Sequence, residues 1–417
     1  MHHQALEHVD FLGAPEAARK TFALQWSVPL GSARGTHERD GLSPLHAELA
    51  QRGGGGRDAK AFAYALDDLG VRRSIRLGTH FLHIDALGLP EALLPALSLC
   101  ADVIREPNIT AEHLKSAKLL VNQGRRSIED DPGALARDHL RRLHAPAPFD
   151  RSAYGCEEVV EAADPKLMLQ DWADWSGCQG GRVVVAGQFD SEQVVEHLQG
   201  ECQRMSWTNR TLDPLHPESP PEPEQKFVER PLAQVHLVWA WSAPTLHDSH
   251  RATWQVLSRI LGASGSGRLF HEVRQKRSLC YAVGGGWAPS DDFGRFMVSA
   301  GTTPDRASET VKVVEEVMRG VLEDRPSEEE ISRAKEGVLS ALTLRRESTA
   351  ARAGALGNHF TTFGEVWDPK KEVQAIAEVD QDAMDAALSA WTLKTPWAVA
   401  LGADRKSTRL NSSHLLI

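Results

Sequence analysis

Two stretches of this chain carry the same succession of elements. Phe22, Leu24, Trp26 and Val28 alternate with Ala23, Gln25 and Ser27, and Val235, Leu237, Trp239 and Trp241 repeat the alternation in the second half. A period of two over such residues predicts a strand. The first strand is followed by Gly41-Leu42-Ser43-Pro44-Leu45-His46-Ala47-Glu48-Leu49, where Ser43 suits an N-cap and Pro44 the first helical position. The second is followed by a helix through Trp254, Leu257 and Ile260. A strand pair around Gly78-Thr79 corresponds to a pair around 291–294, and a long helix ending near Pro107 to one over 307–322 ending near Pro326. Residues 109–118 resemble 327–335. Each half closes with a strand running into glycine, 183–187 and 398–402, behind a tryptophan-bearing segment (Trp172 and Trp175; Trp391).

Repetition in one order predicts an α+β protein built from tandem copies of one domain, over 1–207 and 227–403. Residues 208–226, rich in proline and glutamate, are expected to form an extended spacer. Residues 404–417, beginning Asp404-Arg405-Lys406-Ser407, read as a translated sequencing adapter and are set aside.

One stretch carries chemistry. A small turn, Gly262-Ala263-Ser264-Gly265-Ser266-Gly267, runs into an amphipathic segment with Leu269, Phe270 and Val273 on one face and Glu272, Gln275 and Lys276 on the other. Beyond Ser278, Leu279, Tyr281 and Val283 alternate with smaller residues, and Gly284-Gly285-Gly286 follows. This places Arg274 near a helix end and Tyr281 early on a strand. A guanidinium and a phenol so placed can grip a peptide carbonyl or carboxylate. A surface arginine beside a half-buried tyrosine is the other reading of the same residues.

The run Gly-x-Gly-Arg-Leu-Phe-x-Glu-Val-Arg-x-Lys-Arg-x-Leu-x-Tyr resembles the C-terminal signature of the insulinase/pitrilysin family, the inverted-motif zinc peptidases that include the mitochondrial processing peptidases. The resemblance implies paired domains of the metallohydrolase fold over about residues 15–403. It also implies that Arg274 and Tyr281 bind substrate and stabilise the reaction intermediate. Ser278 stands where glycine is common and Cys280 where alanine is common.

Active members of that family carry His-x-x-Glu-His on the first helix, where two histidines four apart share a face and bind zinc, the glutamate acts as base, and a distal glutamate completes the shell. In this chain the first histidine position is Pro44, the base position Ala47 and the second histidine position Glu48. The distal position falls near Gln123 or Gly124. Other candidates are poorly spaced: His46 and Glu48 point to different helix faces, and His80 and His83 to opposite sides of a strand. Most histidines read as ordinary surface or half-buried residues.

The signature for gripping substrate is therefore kept while the metal motif is degenerate. The resemblance implies a non-catalytic subunit of a heterodimeric bacterial peptidase. It would bind no cofactor itself, and a homologous partner would supply zinc and base for cleaving a peptide or unfolded protein. The alternative is an inactive peptide-binding or assembly protein, resembling the respiratory core proteins, with 72–77 and 281–285 as candidate edge strands. A net charge of −10 argues against nucleic acid as partner. No apolar run is long enough to span a bilayer, and the N-terminus has no apolar signal core. The five cysteines show no Cys-x-x-Cys and suggest a reducing, cytoplasmic setting, or a periplasmic one if an N-terminal leader is missing.

Overall fold

The computed structural model describes residues 1–263 and 265–403; Ser264 of the glycine-rich turn and the adapter-like residues 404–417 lie outside the described residues. The first half runs β1 (His2–Ala5), β2 (Val9–Pro15), β3 (Phe22–Val28), α1 (Leu42–Leu49), α2 (Ala59–Asp68), β4 (Arg72–Leu77), β5 (Leu82–Gly88), α3 (Leu93–Arg105), α4 (Ala111–Asp130), α5 (Pro132–His144), α6 (Glu157–Ala162), α7 (Pro165–Ser176), β6 (Gly181–Gly187) and α8 (Ser191–Gln203). The second runs β7 (Gln225–Glu229), β8 (Val235–Ala243), α9 (Arg251–Gly262), a π-helical turn (Phe270–Gln275), β9 (Cys280–Pro289), β10 (Gly294–Thr302), α10 (Ala307–Glu323), α11 (Glu328–Arg346), α12 (Thr349–Phe363), α13 (Pro369–Ala377), α14 (Gln381–Ala390) and β11 (Trp397–Gly402).

The strands form two sheets, ordered β1-β2-β6-β3-β5-β4 and β7-β11-β8-β10-β9. β2 pairs with β6, and β7 with β11, in parallel; every other pairing is antiparallel. Without β1 the two orders match strand for strand, so the repeat in the sequence is a repeat of topology. Residues 225 and 226, expected in the spacer, belong to β7. The segments 72–77 and 281–285 lie on β4 and β9, each the last strand of its sheet. No helix among the described residues is long and apolar enough to cross a membrane.

The chain divides into two compact units. Of the described residues, one holds Met1–Arg126, Arg151–His216 and Leu344–Asp368; the other holds Ser127–Asp150, those of Pro217–Thr343, and 369–403. The change at His216/Pro217 falls inside the expected spacer, but the units also exchange a helix. In the unit containing β7 to β11, one sheet face packs on α9 and α10 through Trp239, Leu257, Phe296 and Val314. The opposite face, through Val238, Ala240, Val399 and Leu401, is covered by Leu135, Ala136 and Leu140 of α5. In the other unit Leu12, Ala14, Ala23, Val184 and Ala186 are covered by Ala353, Leu356 and Phe360 of α12. α5 and α12 occupy matching places in the two halves of the sequence.

Arginines pin both helices. Arg295, only 5% exposed, donates from Nη2 to the His144 carbonyl at 2.8 Å and lies 4.4 Å from the Trp397 ring centroid. The carbonyl end of α5 thus faces the guanidinium, the favourable sense for a helix dipole. Burial pulls Arg295 down to about 10. Ahead of α12, Arg19 donates to the carbonyls of Glu347 at 2.8 Å and Arg346 at 3.2 Å.

Candidate functional site

The degenerate metal motif sits on α1. The helix begins at Leu42 with Gly41 at its N-cap, so Ser43 does not cap it; the Ser43 hydroxyl donates instead to the Gly31 carbonyl at 3.0 Å. Pro44 is tolerated in the first turn because the first four N–H groups lack intrahelical acceptors. Leu42, Leu45 and Leu49 are buried in the core. Pro44 is buried, while Ala47 and Glu48 are half-buried. Burial raises the Glu48 carboxyl, and Arg52 partly offsets this.

On α4 the buried residues Leu114, Ala117 and Val121 set the inward face. Gly124 continues that spacing, whereas Gln123 is exposed. Of the two candidates for the distal position, Gly124 rather than Gln123 is therefore the one on the inward face. These positions offer a proline, an alanine, one carboxylate and a glycine, a donor set that does not fit tetrahedral zinc. Among the described residues no group of three or more His, Cys, Asp or Glu is placed to hold a metal ion.

The sequence reading missed the cluster beside this helix. His46 is fully buried, and its Nε2 lies 2.8 Å from Asp171 Oδ2. Arg39 donates to the same carboxylate from Nε at 2.5 Å and from Nη2 at 2.8 Å, and stacks on Trp175 at 4.5 Å. Burial alone would raise the Asp171 carboxyl, but the hydrogen bonds from Arg39 and His46 outweigh it and hold it down at about 2. His46 is thus a structural residue, neither an ordinary surface residue nor a ligand. No local pattern announces a partner so far along the chain. His80 precedes β5, and His83 on β5 bonds Ser27 Oγ at 2.9 Å.

Buried histidines make the fold acid-sensitive. Burial, with nearby Arg76, pulls His83 from 6.5 to about 4; burial, with Arg295, pulls His144 to about 3. Below pH 6.5 the unfolded chain takes up protons at these sites while the folded chain does not, so acid favours unfolding. Urea midpoints are expected to fall steadily from pH 7 to pH 4, each such histidine contributing up to about 1.4 kcal/mol per pH unit. A flat profile over that range would contradict this.

Arg274 and Tyr281 come together in the second unit. Arg274 sits near the end of the π-helical turn, where Lys276 N–H reaches back to the His271 carbonyl at 2.9 Å. Its half-buried guanidinium carbon lies 4.9 Å from the Phe270 ring centroid and 5.1 Å from that of Tyr281. Among the described residues the guanidinium has no hydrogen-bond or carboxylate partner. Glu272, the nearest acid in sequence, is taken by Arg277 and Lys276.

Tyr281 is 82% exposed. Simple alternation would have turned it inward with Leu279 and Val283, but a β-bulge intervenes: Ala282 pairs with Gly301 and Cys280 with Thr302, leaving Tyr281 as the extra residue. Bulges re-aim side chains in this way.

The turn between the arginine and the tyrosine is held by Thr302 Oγ1 on the Leu279 carbonyl at 2.6 Å and Arg306 Nη1 on the Ser278 carbonyl at 2.6 Å. Ser278 has φ of 52°, in the left-handed region where glycine alone is unpenalised. This accounts for glycine being common at this position, and the serine here carries the αL penalty. Ser278→Gly is expected to stabilise the fold by about 0.5–1 kcal/mol in denaturant titration, because relief of αL strain outweighs the added unfolded-state entropy. A loss of stability would refute the assignment.

Residues 182–338 match a family profile described as peptidase M16 inactive domain. A Rickettsia bellii protein named an uncharacterized zinc protease is 22% identical over 361 residues, covering 86% of both chains. A Streptomyces coelicolor protein of similar name is 23% identical over 408 residues, covering 96% of this chain and 88% of that one. Among solved structures, a peptidase M16 inactive domain from Pseudomonas fluorescens superposes with a TM-score of 0.86 at 20% identity, covering 97% of this chain and 98% of that one. A Helicobacter pylori protease gives 0.87 at 14% identity, covering 96% and 99%. Both structures share the fold. The duplicated sheets, the Arg274/Tyr281 signature and these matches agree in making the chain similar to the insulinase/pitrilysin (M16) peptidases, with residues 182–338 carrying the inactive-domain match.

Proposed function

We propose that this chain is the non-catalytic, substrate-binding subunit of a two-chain zinc metallopeptidase. The observation that carries the reading is the Arg274 guanidinium, within about 5 Å of both the Phe270 and Tyr281 ring centroids and lacking an acceptor among the described residues. A half-desolvated cation with unspent donors is a site waiting for an oxygen ligand. The exposed Tyr281 hydroxyl is a second donor beside it. Aimed at a peptide carbonyl, the two would stabilise negative charge developing on its oxygen. This chain binds no zinc in this reading, because its residues on α1 and α4 do not fit the metal. A homologous chain bearing His-x-x-Glu-His would supply metal and base, in a bacterial cytoplasm that suits five cysteines unpaired with one another.

The test is a titration of this chain into its zinc-bearing homologue, following a quenched fluorescent peptide, with each protein also assayed alone. Activity that appears only on mixing and saturates near one to one is expected. A second reading has its own observation, since β4 and β9 each end a sheet and could pair with an extended segment. If the homologue is fully active alone and indifferent to this chain, the chain is a peptide holder and the subunit reading fails.

A further inference from the structure

We propose that residues 152–156 form a plug that has replaced the metal centre, so that zinc is excluded by shape as well as by the loss of its ligands. This goes beyond the subunit reading and stands whether or not a partner exists. The loop is fixed to the residues that lead into α1 and to α4, the two helices that carry the ligand positions. At its α1 end, Cys156 N–H donates to the Asp40 carbonyl at 2.8 Å. Gly155, with φ of 64°, lies so close to the start of α1 that a Cβ on it would stand 2.3 Å from Gly41 Cα. At its α4 end, Arg125 Nη2 donates to the carbonyls of Tyr154 at 3.2 Å and Gly155 at 3.4 Å.

Between these anchors the Tyr154 ring lies against Gly124. A Cβ at residue 124 would stand 2.2 Å from Tyr154 Cε1 and 2.6 Å from Cζ. Gly124 is the inward position from which a distal carboxylate would have to reach. No side chain can leave the helix there while the ring is in place. Glycine at 124 and tyrosine at 154 are thus two parts of one packing solution, which the absence of a histidine or glutamate does not by itself require.

Two measurements test the plug. In the first, Pro44→His, Ala47→Glu, Glu48→His and Gly124→Glu are combined with Tyr154 kept or changed to Ala, and zinc per chain is measured after dialysis, alongside thermal melts. The four-fold variant is expected to retain at least about tenfold less zinc than the five-fold variant. In the second, which needs no rebuilt site, Gly124→Ala and Tyr154→Ala are made singly and together. Gly124→Ala is expected to lower the melting temperature by about 3 °C or more with Tyr154 present, from overpacking. It should lower it far less with Tyr154→Ala. Equal zinc uptake by folded four-fold and five-fold variants would overturn the proposal, and so would additive melting shifts in the double mutant. If a rebuilt variant does not fold, the double-mutant result alone decides.

Discussion

Mixed with a zinc-bearing homologue, the Arg274→Ala chain is expected to turn over peptide about a hundredfold more slowly than the wild-type chain, equivalent to ~3 kcal/mol of lost transition-state stabilisation. The effect should fall mainly on kcat, because a donor aimed at a developing oxyanion matters most once the charge is there. Tyr281→Phe separates donor from platform. It keeps the ring on which Arg274 stacks, 5.1 Å away, and removes only the hydroxyl. A comparable fall in this variant assigns the hydroxyl a direct role. Arg274→Lys should rescue little, since an ammonium neither stacks as a plane nor presents a fork of donors. Unchanged turnover in both Arg274→Ala and Tyr281→Phe would sink the substrate-gripping role.

The second large effect is on stability. Asp171→Ala is expected to cost about 3–5 kcal/mol, the range for removing one partner of a buried ion pair. The carboxylate satisfies Arg39 twice and His46 once, and the Arg39, His46 and Asp171 side chains are 10%, 0% and 8% exposed. Its loss would strand a guanidinium and an imidazole together in the interior. Urea unfolding would read the change, and the destabilisation should persist at high salt because buried charges are weakly screened. A cost below about 1 kcal/mol would show the cluster to be no more important than a surface pair.

Much of this architecture was legible because it rests on local periodicity. The alternation at Phe22 to Val28 and at Val235 to Trp241 gave strands β3 and β8, and the repeated order of elements gave the duplication. The Arg274/Tyr281 pair was legible as a signature, but its geometry was not. A bulge depends on how β9 pairs with β10, and the alternation Leu279, Tyr281, Val283 pointed the tyrosine the wrong way. The serine at φ 52° was visible only as a departure from a common glycine. On α4, counting residues offered Gln123 and Gly124 equally, and only burial separates them. The Arg39, His46 and Asp171 cluster unites three elements with no shared pattern. Nor does an amphipathic helix declare which sheet it will cover, so the exchange of α5 and α12 left no trace in composition or spacing.

That exchange has a consequence for how the protein is made. When the ribosome has finished β6 and α8, every strand of the first sheet exists, yet α12 has not been synthesised. Residues 217–343 must emerge before Leu344–Asp368 can join the unit. At elongation speeds of about 5–20 residues per second, that is a delay on the order of 10 s. Throughout it Leu12, Ala14, Ala23, Val184 and Ala186 have no helix of their own half to cover them. The nascent chain therefore carries a bare apolar sheet face through nearly a third of its synthesis, a natural point of engagement for a ribosome-associated chaperone.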